Sequence, residues 1–186
     1  MRKYQNHVIL LTAVLGGLFL SIMYVNPYDG TIPLSELILQ LCGSRGTFAL
    51  SFSMTDLISF AMRLTPFLVL ECYMGIAVYR HFCTASIYVF SRYPNRRKWY
   101  WREMGSVGAE ILMFQGVLLF FTILISTVRY QVVVDKAGII LACSYFFIYG
   151  LWMYKITVII NLAALWLGSS TSYAVVFGVQ MVEITL

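Results

Sequence analysis

Three apolar stretches, each long enough to cross a lipid bilayer, constrain this chain more than any other feature. They run from Val8 to about Val25, from Gly105 to Val128, and from Ala137 almost without interruption to Leu186. A membrane-spanning helix needs about 20 mostly apolar residues. Hydrophobic residues make up 60% of the sequence and charged residues only 11%, whereas about a quarter of a soluble domain is charged. The composition excludes a soluble fold, a disordered chain and a small disulfide scaffold, and it predicts an integral membrane protein.

Further helices are expected around these stretches. A second span is predicted from about Leu57 to Tyr79, and the last stretch should divide into a fourth helix, Ala137–Leu167, and a fifth that begins at Tyr173. An alternative ends the fourth span at Lys155 and follows it with two half-helices. Irregular backbone exposed to lipid is not tolerated. We therefore expect an all-α fold, a polytopic integral membrane helical bundle of five to six helices, in which residues 1–186 form a single transmembrane domain.

The charges predict how the chain crosses the membrane. Residues 80–104 hold six basic residues against one acidic residue, so the whole net charge of +5 lies in this segment. Because Lys and Arg resist translocation, 80–104 should face the cytoplasm. The N-terminus then lies inside, and the segments 26–56 and 129–136 lie outside. Within 26–56, the apolar residues of Ile32–Leu41 recur at helical spacing and predict a short helix along the outer surface.

A basic and aromatic segment lies near the end of 80–104. Its members are Arg92, Arg96, Arg97, Lys98, Trp99, Tyr100, Trp101 and Arg102. One interpretation is topological, because positive charge holds the loop inside and the aromatic rings lie at headgroup depth. The other is a short interfacial helix that docks a cytoplasmic partner. Nucleic-acid binding also combines Arg with aromatic rings, but the membrane holds both ends of this segment, so we expect no nucleic-acid partner.

Two motifs carry a resemblance to a known family. The sequence IYVFSR at Ile87–Arg92, followed by NRRKWY at Asn95–Tyr100, resembles a signature of small ABC-type (ABC-2-like) permease subunits. These occur chiefly in Gram-positive bacteria, in peptide or bacteriocin export and immunity systems. Asn161–Ser170 is similar to the end of that family's fourth span, and the resemblance covers most of residues 57–186.

The resemblance implies a permease subunit in the bacterial cytoplasmic membrane, with a separate cytoplasmic ATPase. It also implies a second membrane subunit, in a homo- or heterodimer, and a peptide as substrate. Family members carry a sixth span, which would follow the five predicted here. In six-span exporter permeases the cytoplasmic segment between spans two and three contacts the ATPase, and residues 80–104 occupy that place.

Three charged residues lie within predicted spans: Arg63, Glu71 and Glu110. A charge inside a span costs about 2.5–3.5 kcal/mol on insertion scales and is a functional hypothesis by default. Arg63 and Glu71 lie about 80° apart around the helix and two turns distant, so they cannot pair directly. Each should face protein or water, either as a packing contact with a neighbouring helix or on a substrate or proton path.

Few residues of this sequence suggest an enzyme active site. The sequence contains neither a P-loop motif nor HExxH, and its four cysteines form no CxxC motif. We predict no catalytic residue, no metal and no cofactor. Two rival functions stay open. One is a membrane subunit that binds a vitamin-type solute for import, and the other is an intramembrane peptide-processing enzyme that uses His81 and Cys83.

Overall fold

The computed structural model describes residues 2–27, 30–42, 54–75, 79 and 96–185. Within these ranges the chain forms six helices and two short strands. In chain order they are α1 (Arg2–Tyr24), β1 (Thr31–Pro33), α2 (Leu34–Cys42), α3 (Met54–Met74), α4 (Arg96–Arg129), β2 (Gln131–Val133), α5 (Lys136–Leu167) and α6 (Ser169–Thr185).

Three of these helices are long and apolar enough to cross a membrane. They are α1 over His7–Tyr24, α4 over Arg97–Arg129, and α5 along its whole length. The prediction of a helical membrane bundle is confirmed at this level. The short helix predicted at Ile32–Leu41 is also confirmed as α2, whose residues Leu34, Leu37, Ile38 and Leu41 are buried.

The observed boundaries correct three expectations. The basic residues from Arg96 onward do not form a separate interfacial helix, because α4 contains both them and the third span. The alternative with half-helices is wrong, since α5 continues past Lys155 to its end. The last helix begins at Ser169 rather than Tyr173. Gly168 alone makes the break, because its φ of +80° is a conformation that glycine adopts without steric cost.

The chain divides into two compact units. Unit 1 comprises Met1–Pro66 and Leu112–Gly150, and unit 2 comprises Phe67–Ile111 and Leu151–Leu186. Helices α3, α4 and α5 each contribute residues to both units. A single transmembrane domain over residues 1–186 stays a prediction.

In unit 1, helices α1 and α4 approach one another through small and hydroxyl-bearing side chains. A Cβ atom on Gly17 would lie 2.8 Å from the Leu118 carbonyl oxygen. At the same level, Thr122 Oγ1 donates to the Gly17 carbonyl at 3.4 Å. One turn further along α1, the Ser21 and Ser126 hydroxyls are 2.9 Å apart. Small residues four apart let membrane helices pack backbone against backbone.

The connections after α1 and after α4 pair with each other in unit 1. β1 and β2 run parallel with Thr31 opposite Gln131, a pairing that the sequence did not predict. The Asp135 carboxylate joins the helices that follow these strands. It accepts hydrogen bonds from the Ser35 N–H at 3.0 Å and the Gly138 N–H at 3.1 Å. The strands β1 and β2 and the first residues of the helices that follow them therefore lie together at one end of unit 1.

Unit 2 is held together by apolar contacts between α5 and α6. Ile156, Ile160 and Val176 form a buried cluster, against which the rings of Trp152, Tyr173 and Phe177 pack. Helix α4 contributes Val107 and Ile111, which are buried one turn apart. The polar side chains Asn161 and Gln180, described below, lie on these same two helices.

Candidate functional site

Arg63 lies in unit 1 as a cation stacked on an aromatic ring. Its guanidinium carbon is 4.5 Å from the centroid of the Tyr24 ring, and the Tyr24 hydroxyl donates to the Ser59 carbonyl at 3.0 Å. No carboxylate among the described residues forms an ion pair with Arg63, and its Nε–H is buried without a hydrogen-bond partner. The contact that the structure describes for the Arg63 guanidinium is therefore a cation–π contact with Tyr24.

A group of polar side chains from other helices lies near Arg63. The buried hydroxyl of Tyr145 is within electrostatic range of Arg63, Cys42 and Tyr149. The Gln115 amide approaches the same hydroxyl, but neither Nε2 nor Oε1 of Gln115 meets the geometry of a hydrogen bond. Gln115 is 1% exposed, so both atoms are also shielded from water. We name these residues, with Tyr24, the Arg63 cluster.

Glu71 lies in unit 2 and is fully buried, at 0% exposure. Its two carboxylate oxygens accept hydrogen bonds from Gln180 Nε2 at 3.1 and 3.3 Å. Tyr173 holds the same part of α3, because its hydroxyl donates to the Cys72 carbonyl at 2.8 Å. Glu71 thus faces the protein interior, as expected, and bonds a polar group on another helix.

A second polar contact in unit 2 involves Asn161. Its Nδ2 donates to the Thr157 carbonyl at 2.9 Å, and its Oδ1 accepts from the Tyr79 N–H at 3.2 Å. The Thr157 hydroxyl and Gln180 Oε1 are buried without partners. In the sequence, Asn161 stood out as the first residue of the Asn161–Ser170 similarity, and neither Gln115 nor Gln180 was predicted as a site residue. An isolated amide inside an apolar stretch was the signal that could have found them.

Glu110 lies on α4 and is half-buried. Its Oε1 accepts a hydrogen bond from the Ser106 hydroxyl one turn earlier, at 3.4 Å. The described partners of the three charged residues therefore differ: Tyr24 contacts Arg63, Gln180 bonds Glu71, and Ser106 bonds Glu110.

The basic and aromatic segment occupies the first turns of α4 and has two faces. Trp99, Glu103 and Val107 recur every four residues and are buried in unit 2. The opposite face consists of exposed residues, namely Arg97, Lys98, Trp101 and Arg102. Trp101 is 63% exposed, whereas Trp99 is 5% exposed. Tyr100 lies between the faces and contacts the Trp101 ring edge-on.

Some predicted residues fall outside the part of the chain that the structure describes. These are Arg92, His81 and Cys83, as well as the side chain of Arg96. Within the described residues, no group of three or more His, Cys, Asp or Glu side chains is placed to hold a metal ion.

No protein-family model, no curated protein and no solved structure matches this chain.

Proposed function

We propose that this chain is the membrane-spanning permease subunit of an ABC-type transporter, which works with a separate ATPase and moves or clears a bacteriocin-like peptide. It acts beside a second membrane subunit in a bacterial cytoplasmic membrane, with its N-terminus inside. In this proposal α3 also crosses the membrane, and five to six spans are present. The proposal rests on the resemblance of the Ile87–Arg92 and Asn95–Tyr100 motifs to ABC-2-like permease subunits. It also rests on the length of α4 and on the exposed basic face at its start.

The first turns of α4 carry the proposal. Helix α4 has 34 residues, whereas about 20 residues cross the hydrocarbon of a bilayer. The apolar residues of α4 lie toward Arg129. The residues that are not needed to cross the hydrocarbon are therefore those of the basic end of the helix. That end has one face built into unit 2 and an exposed face of Arg97, Lys98, Trp101 and Arg102. A continuous helix that carries an exposed basic surface at one end and a membrane span at the other can transmit a movement from a soluble partner into the membrane.

The composition of the exposed face suits a protein partner. Arg and Trp are the residues that most often anchor protein interfaces. A loop that only sets topology needs positive charge but no particular shape. The guanidinium group also forms paired hydrogen bonds that Lys cannot reproduce. An acidic groove on the ATPase is the complementary surface.

The buried polar contacts support a span for α3. Glu71 and Arg63 would be costly in lipid, but Glu71 is bonded to Gln180 and Arg63 is stacked on Tyr24. Both charges are therefore directed at protein. A helix with such partners can cross a bilayer although its charges lower its hydropathy.

The test is co-purification of the chain from native membranes in mild detergent, followed by identification of the bound chains. We expect a P-loop ATPase to accompany it. Replacing Arg96 and Arg97 with Lys should preserve insertion and lose ATPase association, and Trp101→Ala should do the same.

Trp99→Ala is the matched control. It removes the same side chain from the buried face, so it should lower stability and leave association unchanged in the fraction that folds. An intramembrane processing enzyme would bring down no ATPase. The proposal is contradicted if no ATPase co-purifies with the wild-type chain. It is also contradicted if the wild type and all variants, compared at equal membrane abundance, retain the same amount of ATPase.

A further inference from the structure

We propose that Glu71 is a proton-binding site. The folded chain holds Glu71 as the neutral acid, paired with the Gln180 amide, and the loss of this proton releases the end of α6 from α3. The inference does not rest on the proposed function. Both residues lie in unit 2, and neither belongs to the basic face of α4.

The hydrogen-bonding chemistry of the pair favours an acid over an anion. A carboxylate can only accept hydrogen bonds, whereas a protonated carboxyl has one O–H donor and keeps an acceptor oxygen. A side-chain amide likewise has a donor, its NH2 group, and an acceptor, its oxygen. The acid and the amide can therefore form two reciprocal hydrogen bonds, and the carboxylate and the amide cannot.

The structure describes one half of such a reciprocal pair. Gln180 Nε2 donates to both Glu71 oxygens, at 3.1 and 3.3 Å. The other end of the same amide, Oε1, is buried without a hydrogen-bond partner among the described residues, although nearly all buried polar atoms are bonded. A proton on one Glu71 oxygen is the donor that Oε1 lacks. The terminal torsion of Gln is soft, so a small turn of the amide brings Oε1 to that O–H.

Burial acts in the same direction as the hydrogen bonds. Glu71 is 0% exposed and Gln180 is 3% exposed, so water does not solvate the acid. The side chain described as bonded to Glu71 is a neutral amide. Because a poorly compensated buried charge is very costly, such a group takes up a proton instead.

Two other titratable side chains lie beside Glu71, on α3 and α6. Cys72 follows it on α3 and is exposed. The Tyr173 hydroxyl on α6 donates to the backbone carbonyls of Glu71 and Cys72, at 3.3 and 2.8 Å. A titration must therefore separate Glu71 from this thiol and this phenol.

The remaining helices of unit 2 contribute neutral or differently bonded groups. Helix α5 packs on the end of α3 through Ile160, which lies against Gly75, and its buried polar residues Thr157 and Asn161 are neutral. The described acids of α4 in this unit contact residues of their own helix. They are Glu103, beside Arg102, and Glu110, bonded to Ser106.

Loss of the proton should act on one end of α6. Near the start of α6, Tyr173 is held by bonds to backbone carbonyls, and Val176 and Phe177 pack against α5. None of these contacts depends on the charge of Glu71. Gln180 lies one turn further along. When the Glu71 proton leaves to a base in the surrounding water, both carboxyl oxygens become acceptors, the reciprocal pair is broken, and this end of α6 separates from α3.

Infrared spectroscopy of the purified chain in lipid nanodiscs tests the protonation. At about pH 7 an ordinary Glu is ionised, so the wild type should show the carbonyl stretch of a protonated carboxyl, which shifts in D2O. Glu71→Gln should lose this band. Glu36→Gln removes an exposed carboxyl and should leave it unchanged.

Two amide variants assign the partner of the acid. Gln180→Met should keep the band but shift its frequency, because the acid loses its hydrogen bonds. Gln115→Met is the matched control, since it removes a buried amide of the Arg63 cluster in unit 1 and should not move the band. This comparison also decides the matter if Glu71→Gln fails to fold.

Spin labels test the release of α6. In a chain whose native cysteines are replaced with Ser, labels are attached to Val179→Cys, next to Gln180, or to Val175→Cys, near Tyr173, which are both exposed positions. Raising the pH from about 6 to about 9, below the range in which Tyr ionises, should increase the mobility of the label at Val179 and leave that at Val175 unchanged. Glu71→Gln keeps a donor and an acceptor, so it should abolish the response.

The inference is overturned if the wild type shows no protonated-carboxyl band, or if the band keeps its full size in Glu71→Gln. A band that Gln180→Met does not move overturns the pairing with Gln180. A label at Val179 that does not respond to pH, or that responds equally in Glu71→Gln, overturns the release of α6. None of these outcomes changes whether an ATPase co-purifies, so the proposed function is tested separately.

Discussion

Both carboxylate oxygens of Glu71 bond a single nitrogen, the Nε2 of Gln180, at 3.1 and 3.3 Å. No other side chain among the described residues bonds this carboxylate. Gln180 is 3% exposed, and its Oε1 has no partner. One amide nitrogen is therefore the described side-chain partner of a fully buried acid, and α3 is tied to α6 through that contact.

Removing the amide should be more damaging than changing the acid conservatively. Gln180→Leu leaves the Glu71 carboxylate buried and unbonded, which should cost about 1–3 kcal/mol or more of unfolding free energy. Glu71→Gln keeps hydrogen-bonding capacity and should be tolerated better than Glu71→Leu. Thermal unfolding of the detergent-purified variants measures the order.

The double variant Glu71→Leu with Gln180→Leu serves as the control. It removes both polar partners, so it should recover part of the stability that Gln180→Leu loses. Equal stability and equal yield for Glu71→Gln and Glu71→Leu would mean that the carboxylate has no structural partner.

Helix contact through Gly17 gives a second prediction. In Gly17→Ala the new Cβ would lie 2.8 Å from the Leu118 carbonyl oxygen and 3.1 Å from the Thr122 nitrogen. These are backbone atoms, so the helices must separate, and we expect a loss of about 1–3 kcal/mol in unfolding free energy. Unfolding in SDS titrations would measure it.

Gly178 on α6 is the matched control, because, apart from the adjacent backbone of its own helix, no atom of the described residues lies within 4 Å of a Cβ built there. Gly178→Ala should be neutral, or stabilising by up to about 1 kcal/mol through helix propensity. If Gly17→Ala is as stable as Gly178→Ala, α1 and α4 do not pack as closely as the structure describes.

The sequence predicted the helices better than their partners. Apolar runs of sufficient length were enough to locate α1 and α5, because the bilayer sets the length of a spanning helix. The sequence also predicted that Glu71 faces protein, because lipid excludes a bare charge. It did not predict Gln180 as the partner, since a contact between residues so distant along the chain leaves no local spacing to read.

The strands were missed for a related reason. β1 and β2 have three residues each, too few for an alternating pattern to stand out. Their pairing depends on two helix ends that meet only in the folded chain. The continuous α4 was also missed, because the charges of Arg96–Arg102 suggested a boundary. Tertiary packing of Trp99 and Glu103 instead extends the helix past that boundary.

Asp135 gives a pH-dependent prediction outside the spanning segments. Desolvation opposes its charge, but hydrogen bonds from Ser35 and from the Gly138 N–H outweigh this and hold the pKa of Asp135 below its ordinary value of 3.8. A carboxyl whose folded pKa is depressed contributes stability above its unfolded pKa. That contribution is lost as the pH falls through the lower folded value.

We therefore expect the melting temperatures of the wild type and Asp135→Asn to differ by a constant amount from neutral pH down to about pH 4, and the difference to shrink below it. The difference between the two proteins isolates Asp135 from the other carboxylates, which titrate in both. A difference that does not change with pH would show that Asp135 is not ionised in these contacts.

The paired strands make the topology testable with described residues. Thr31 lies opposite Gln131, and Val134 follows at 68% exposure. Segments that pair must lie on the same side of the membrane. The basic end of α4 should lie on the other side, because the positive-inside bias holds it in the cytoplasm. In a chain whose four native cysteines are replaced with Ser, single cysteines at Thr31, Trp101 and Val134 would report the sides.

A membrane-impermeant maleimide applied to intact cells should modify Thr31→Cys and Val134→Cys alike. It should modify Trp101→Cys only after the membrane is permeabilised, and Trp101 is a suitable position because it is exposed and uncharged. Labelling Thr31→Cys and Val134→Cys from opposite sides would contradict the strand pairing. Labelling Trp101→Cys from outside, with the other two protected, would keep the pairing but invert the chain. The basic face of α4 would then be out of reach of any cytoplasmic ATPase, and the permease proposal would lose the contact on which it rests.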